Sequence, residues 1–337
     1  MDFLLDIGSF LLQALILLAV FLVAVAGVVA ISQRKRGSGD DGYIEARLLN
    51  ERYEAHQESL RAVTEDEADA KAREKAKKKA KKVEEKARKR ASKMADMAEA
   101  EHRPRVFVID FDGDMQASAV AELREEVSAI LPVATEKDEV LVRLESGGGV
   151  VHGYGLAASQ LIRLKDAGIK LTVSVDKVAA SGGYMMACMA NTIVTAPFAL
   201  VGSIGVVAEV PNVHRLLKKH SIDVEVLTAG EHKRSLTVMG ENTRKGRDKF
   251  VEDLQQTHGL FKQWVAQQRP QLDIQQVANG DVWYGQQAIE LGLVDKVETS
   301  DEVLQQAMIN SDVLLVEYVA KKTVGEKLGI AASSSLS

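Results

Sequence analysis

Leu171-Thr-Val-Ser-Val-Asp-Lys-Val-Ala-Ala-Ser-Gly-Gly-Tyr184 changes character halfway along its length. Its first residues are apolar and largely β-branched, the pattern of a buried strand. Two alanines follow. Ser181-Gly182-Gly183 then opens a stretch rich in small residues and methionine, Tyr184-Met-Met-Ala-Cys-Met-Ala190, which reads as a helix. A strand that turns sharply into a helix at Ser-Gly-Gly presents the hydroxyl outward, beside the free amides of the helix N-terminus. The spacing is not that of a G-x-S-x-G elbow, and Ser-Gly-Gly alone is ordinary turn chemistry. Its meaning comes from companions: Gly147-Gly148-Gly149 upstream, and Ser203 and Lys233 downstream.

Working outward, strand and helix patterns alternate. Arg105 to Phe111 reads as a buried strand. Ala117 to Leu131 reads as a helix with Val120, Leu123, Val127 and Ile130 on one face, ended by Pro132. Glu139 to Glu145 is the next strand, running into Ser146-Gly-Gly-Gly149. A helix over Tyr154–Ala167 stops at Gly168. Further strands are expected at Thr192–Ala196 and Asp223–Thr228, and a long helix at Arg244–Gln268 burying Phe250, Leu254, Phe261 and Val265. Alternation of this kind predicts an α/β fold with largely parallel pairing and functional loops at strand carboxyl ends.

The chain has 337 residues, enough apolar content for a sizeable core, and one cysteine, Cys188, which excludes an intrachain disulfide framework. From Ser9 to Ile31 the only polar residues are Ser9 and Gln13, long enough for a membrane-spanning helix. Acidic Asp2 and Asp6 precede this span and Arg34-Lys-Arg36 follows it. The segment over 1–36 thus reads as a retained anchor, and the positive-inside rule favours the body on the cytoplasmic side. Residues 37–103 form a charged, mainly helical extension. Lys71 to Lys93 holds thirteen Lys or Arg against three Glu, spaced by alanine without Gly or Pro. A solvated spacer is the plain reading, and contact with anionic lipid headgroups the sharper one. Nucleic acid is not expected: no aromatic residues interleave for base stacking, and the body from Pro104 onward carries a net −7. The polar tail over 323–337 is read as flexible.

A serine hydroxyl needs a base before it becomes a nucleophile. Among the histidines, His56 and His102 lie outside the body, and His214, His220 and His258 fit ordinary helical surfaces. His152 and His232 could approach the site, but no pattern orients either with a carboxylate. Lys233, in Ala229-Gly-Glu-His-Lys-Arg234, is the better candidate. A free lysine, with a pKa of about 10.4, is charged at neutral pH and must be desolvated to act as a base. Ser203, in Val201-Gly-Ser-Ile-Gly-Val206, could aim the amine, and the glycine loop together with Gly182 could supply amides to an oxyanion. No phosphate-binding glycine motif and no metal-ligand spacing is present, so neither metal nor cofactor is expected.

Five stretches in order carry a family resemblance: Arg143–Val150, Val175–Tyr184, Val201–Val206, Gly230–Arg234, and Asn279–Ala288 with Leu291–Asp295. On these residues the chain resembles the signal peptide peptidase A family of membrane-associated serine peptidases, most closely its SohB branch. The resemblance implies a ClpP/crotonase-like α/β spiral of strand-strand-helix units over 104–322. It implies Ser181 as nucleophile, Lys233 as general base, Ser203 as the residue orienting the lysine, and the amides of Gly148 and Gly182 as oxyanion hole. It further implies single-pass anchorage in a bacterial inner membrane and peptide substrates such as signal-peptide remnants. Homo-oligomers are implied too, in which serine and lysine can come from adjoining subunits. One departure stands out: Gly147 occupies the place of the family's usual loop proline, leaving the loop less preorganised. Val150, Met185 and Met186 are expected to form an apolar substrate pocket. The rival readings are a non-catalytic oligomeric membrane scaffold and an acyl-thioester enzyme that would bind coenzyme A.

Overall fold

A computed structural model describes residues 42–94 and 103–321. The anchor expected over 1–36 and the tail over 323–337 lie outside the described residues. Among those described, no helix is long and apolar enough to cross a membrane. The chain divides into two units: Ile44–Glu317, which holds the candidate site, and a second made of the two chain ends up to Tyr43 and from Tyr318.

The architecture is mixed α/β. Strands β1 (Tyr43–Leu48), β2 (Arg105–Gly113), β3 (Glu139–Ser146), β4 (Lys170–Val175), β6 (Thr192–Thr195), β9 (Lys296–Val297) and β10 (Asp312–Val319) lie in the order β1-β10-β2-β3-β4-β6-β9. Pairing from β10 through β9 is parallel. Parallel strands are covered on both faces and read as near-continuous apolar runs, which is why the central strands are visible in the sequence. Val108, Ile109, Val140, Val142, Leu171 and Val173 have no more than trace exposure. Helices α3 (Val120–Ile130) and α4 (Val151–Asp166) bury Leu123, Val127, Ile130, Tyr154, Leu161 and Leu164 against them.

A second ladder leaves this sheet at the end of β3 and positions the site. β5 (Val178–Ala180) pairs with β3 at Ser146↔Ala179 and with β7 (Leu200–Gly202) in parallel, and β7 pairs antiparallel with β8 (Val282–Tyr284). These three-residue strands are too short to show periodicity in the sequence. Their register, Ala180↔Gly202, leaves Ser181 and Ser203 as the next residues on two adjacent strands.

The structure adds detail to one expectation and corrects three. First, the stretch read as a charged, mainly helical extension over 37–103 also holds β1, an edge strand of the sheet, ahead of two helices. Arg47 of β1 is ion-paired with Glu317, and α1 (Leu49–Thr64) is tied to the body where Asn50 accepts from the Val313 amide at 2.7 Å. Only α2 (Glu67–Met94) has the expected lysine-rich helical character throughout. Second, Asp223–Thr228 is not a strand. It has the alternation of one, yet among the described residues no strand runs beside it to take its N–H and C=O groups, and Val226 and Leu227 are exposed. Third, α7 (Arg244–Gln268) buries Phe261 and Val265 but leaves Phe250 and Leu254 only half-covered, because its first half extends past the core. Fourth, Met186 is fully buried in the core rather than facing a pocket.

Two buried polar clusters lock the body. Asp138 accepts from Arg105 Nη2 at 2.7 Å and from the Thr135 and Arg105 amides. Burial works to raise the Asp138 pKa, but these donors override it and hold the carboxyl at about 2. Arg269, 3% exposed, makes a bidentate pair with Asp295 at 2.8 Å and reaches Gly292 O. Cys188 is buried, and burial pushes its thiol up to about 12, so it is inert, as its apolar neighbours in the sequence suggested.

Candidate active site

Ser181 follows β5 and caps α5 (Gly182–Ala187). Its backbone sits at φ 51, ψ −115, a region unfavourable for any residue with a Cβ and worth about 1–3 kcal/mol of strain. Two hydrogen bonds enforce it: the Ser181 amide donates to Gly202 O at 2.8 Å, and Ser181 O accepts from the Met185 amide at 2.9 Å. The strain is the consequence of bringing a strand end directly into a helix start, and it lifts the side chain out of the strand into a cleft. As first residue of α5, Gly182 has no helical carbonyl four residues behind it, so its N–H is free for an anion. A Cβ there would sit 2.3 Å from the Tyr154 ring, so only glycine allows this approach.

The cleft measures about 1020 Å³. Ser181, Gly182 and Ser203 share it with the Gly147–Gly149 loop, which follows β3. Gly148 lies directly over Ser181: at φ +89, a Cβ on it would fall 2.7 Å from Ser181 Cβ. Its amide donates to Ser146 Oγ at 3.0 Å. Ser203 also has a positive φ, 52, and is held by its amide on Asp281 O at 2.6 Å and by Gly205 N–H on its carbonyl. Thus Ser181, Ser203, Gly148 and Gly182, separated by as many as 55 positions, converge at the carboxyl ends of β3, β5 and β7.

Lys233 is elsewhere. It is exposed, its amide bonds Gly230 O, and it is not among the residues lining this cleft. The loop carrying it leaves the cleft at Val206–Val207 and includes α6 (His214–Lys219). Val207, Leu216, Ile222, Leu227 and Met239 are half or more exposed along it. Of the histidines, His152 and His232 are exposed, the latter 3.9 Å from Glu231.

Sequence reasoning missed the far wall of the cleft. Thr257, His258, Leu260, Phe261 and Trp264 of α7 line it, facing Met115, Val151 and Met185. His258, read as a surface residue, has its Nε2 3.1 Å from Ile204 O and so braces the Ser203 turn. Trp264 Nε1 donates to Met185 O at 3.3 Å. The signal was available in the spacing of His258, Phe261 and Val265 on one helix face, though nothing in the sequence told core from cleft. Among the described residues no group of His, Cys, Asp or Glu could hold a metal.

Comparison with known proteins agrees on a family. Residues 2–161 match the model for "Peptidase family S49 N-terminal" and residues 163–314 that for "Peptidase family S49". The "Probable protease SohB" of Haemophilus influenzae is 53% identical over 334 residues, covering 99% of this chain and 94% of that protein. The "Putative protease SohB" of Buchnera aphidicola subsp. Baizongia pistaciae is 42% identical over 96% of this chain and 93% of its own. A solved structure of the 1510-N membrane-bound stomatin-specific protease, a variant in complex with a substrate peptide, is similar over 69% of this chain and 100% of that one. Its TM-score is 0.42 at 12% identity. With both halves of the family model matched and a relative of more than half identity along nearly the whole length, the chain belongs to peptidase family S49 and is a serine protease.

Proposed function

We propose that this protease is a membrane-anchored serine endopeptidase working through a Ser181–Lys233 dyad. The single observation that carries the reading is Ser181 itself. It is a strained, helix-capping serine at the floor of a cleft, one side of it bare amide and the other apolar wall. The neutral Lys233 amine takes the Ser181 proton as Oγ adds to the scissile carbonyl. Negative charge gathers on the carbonyl oxygen, to be met by the Gly182 and Gly148 amides. As the tetrahedral species collapses, the C–N bond breaks and the lysine returns its proton to the departing amine. Water, deprotonated by the same lysine, then hydrolyses the acyl-enzyme and restores Ser181. Ser203 aims the amine.

The position of Lys233, exposed and off the cleft, supports a base supplied by a second copy of the chain. The apolar residues displayed along the same loop are suited to such an interface, whose closure would also strip water from the amine. The domain reading is an anchor over 1–36, an extension over 37–103, a ClpP/crotonase-like peptidase domain over 104–322 and a tail beyond. The apolar wall of Met115, Val151, Met185, Phe261 and Trp264 supports unstructured or membrane-derived peptides with apolar side chains as substrates. Fluorophosphonate labelling of the full-length protein tests the nucleophile. Labelling that vanishes in Ser181→Ala supports it, and labelling that persists refutes it.

A further inference from the structure

The Gly148 N–H does not point into the cleft. Its acceptor, Ser146 Oγ, belongs to the last residue of β3, is 2% exposed, and is absent from the cleft lining that contains Gly147, Gly148 and Gly149. This acceptor is itself fixed. Tyr154 Oη donates to Asp114 O at 2.8 Å, Ser146 Oγ and Tyr154 Oη share a hydrogen bond, and Ser146 Oγ lies 3.2 Å from Gly113 O. A phenol has one proton and a serine hydroxyl one. With the phenol proton on Asp114 O, the serine proton goes to Tyr154 Oη or Gly113 O, and Ser146 Oγ is left as the acceptor for Gly148. Burial raises the Tyr154 pKa, so the phenol keeps its proton. Of the two amides that the reading above needs for an oxyanion, one is therefore committed to a buried hydroxyl.

We propose that Ser146 is a positioning residue that holds the Gly148 amide turned away from the cleft in the resting protomer. The oxyanion hole is completed only when the Gly147–Gly148 peptide turns over as substrate engages. This rests on Ser181 being the nucleophile and adds how its site is kept in check. Turning over is open on the Gly147 side, where a Cβ would meet nothing within 4 Å, and on the crowded Gly148 side glycine has no side chain to carry round. It is also energetically selective. A neutral hydroxyl holds the amide until a developing negative charge, roughly twice as strong an acceptor, competes for it. The Tyr154 ring that anchors Ser146 also lies against Gly182, so one buried side chain supports both amides.

The test compares wild type with Ser146→Ala in the assembled full-length protein. Releasing one neutral hydrogen bond should speed fluorophosphonate labelling of Ser181 about threefold to tenfold, with KM for an apolar peptide unchanged. Labelling that is unchanged or slower in a folded Ser146→Ala protein overturns the proposal. Should that variant fail to fold, wild type with a peptide aldehyde bound to Ser181 decides. Gly148 N within about 3 Å of the adduct oxygen, and away from Ser146 Oγ, supports turnover of the peptide. Gly148 N still on Ser146 Oγ overturns it. No labelling of wild type at all would instead remove the nucleophile assignment beneath it.

Discussion

Two stretches of this protein carry the two halves of the proposed dyad, and they are built differently. The corner where β3, β5 and β7 end is tightly packed beneath and open only to the cleft. Ser181 is fixed by two backbone hydrogen bonds, Gly148 and Gly182 are glycines because nothing larger fits, and Tyr154 is buried beneath them. The stretch from Val207 to Met239 has one six-residue helix, no strand, a row of exposed apolar side chains and Lys233 in solvent. The residues around Ser181 all come from one protomer, whereas the stretch carrying Lys233 displays its apolar side chains to solvent. If the proposed dyad is shared between two copies of the chain, a lone protomer is expected to be inert.

Four variants break or sharpen that contrast. The largest effect is expected from Leu216→Asp combined with Leu227→Asp, which places charge on the exposed apolar stretch. Turnover should fall at least about a thousandfold, the loss of a general base or more, while melting shifts little because both residues are on the surface. Sedimentation should show loss of the assembled form. Gly148→Ala attacks the packed corner instead. A Cβ at a left-handed position 2.7 Å from Ser181 displaces the loop, and the expected loss in kcat is about a hundredfold to a thousandfold, that of an oxyanion donor. Assembly should be untouched.

Asp138→Ala probes the body that supports the corner. Removing the buried carboxylate leaves the Thr135 and Arg105 amides without their acceptor and should cost about 1–3 kcal/mol in denaturant unfolding. Because the folded carboxyl titrates at about 2, below its unfolded value, its contribution is fully present above about pH 4 and is lost as pH falls towards 2. Stability should therefore fall less steeply on the acid side in the variant than in the wild type. Gly147→Pro is the smallest. A Cβ there meets nothing, so proline should add about 0.4–1 kcal/mol by restricting the unfolded chain. A loss of stability would show that the loop needs backbone angles proline denies it.

The packed corner was largely legible in the sequence and the solvent-exposed stretch was not. β2, β3 and β4 are parallel and covered on both faces, so their runs of Val, Ile and Leu declare them, and Ser181 was placed from the residue types around it. Ser203 was singled out from its flanking glycines, but its nearness to Ser181 follows from the Ala180↔Gly202 register, which no local pattern encodes. The same limit explains β1, whose place beside β10 depends on residues more than 260 positions later, as the Asn50–Val313 hydrogen bond illustrates. Asp223–Thr228 misled because alternation reports what a segment prefers, whereas a strand also requires a neighbour. The cleft wall on α7 was hidden because an apolar stripe facing a cleft looks the same as one facing a core.

The most direct test of the split site is to mix Ser181→Ala protein with Lys233→Ala protein, each inactive alone, under conditions that allow subunits to exchange. Random reassembly pairs an intact serine with a neighbour's intact lysine at about a quarter of sites, so peptidase activity should return to about that fraction of wild type. A mixture that assembles and exchanges yet stays inactive would place both residues in one protomer and contradict the account.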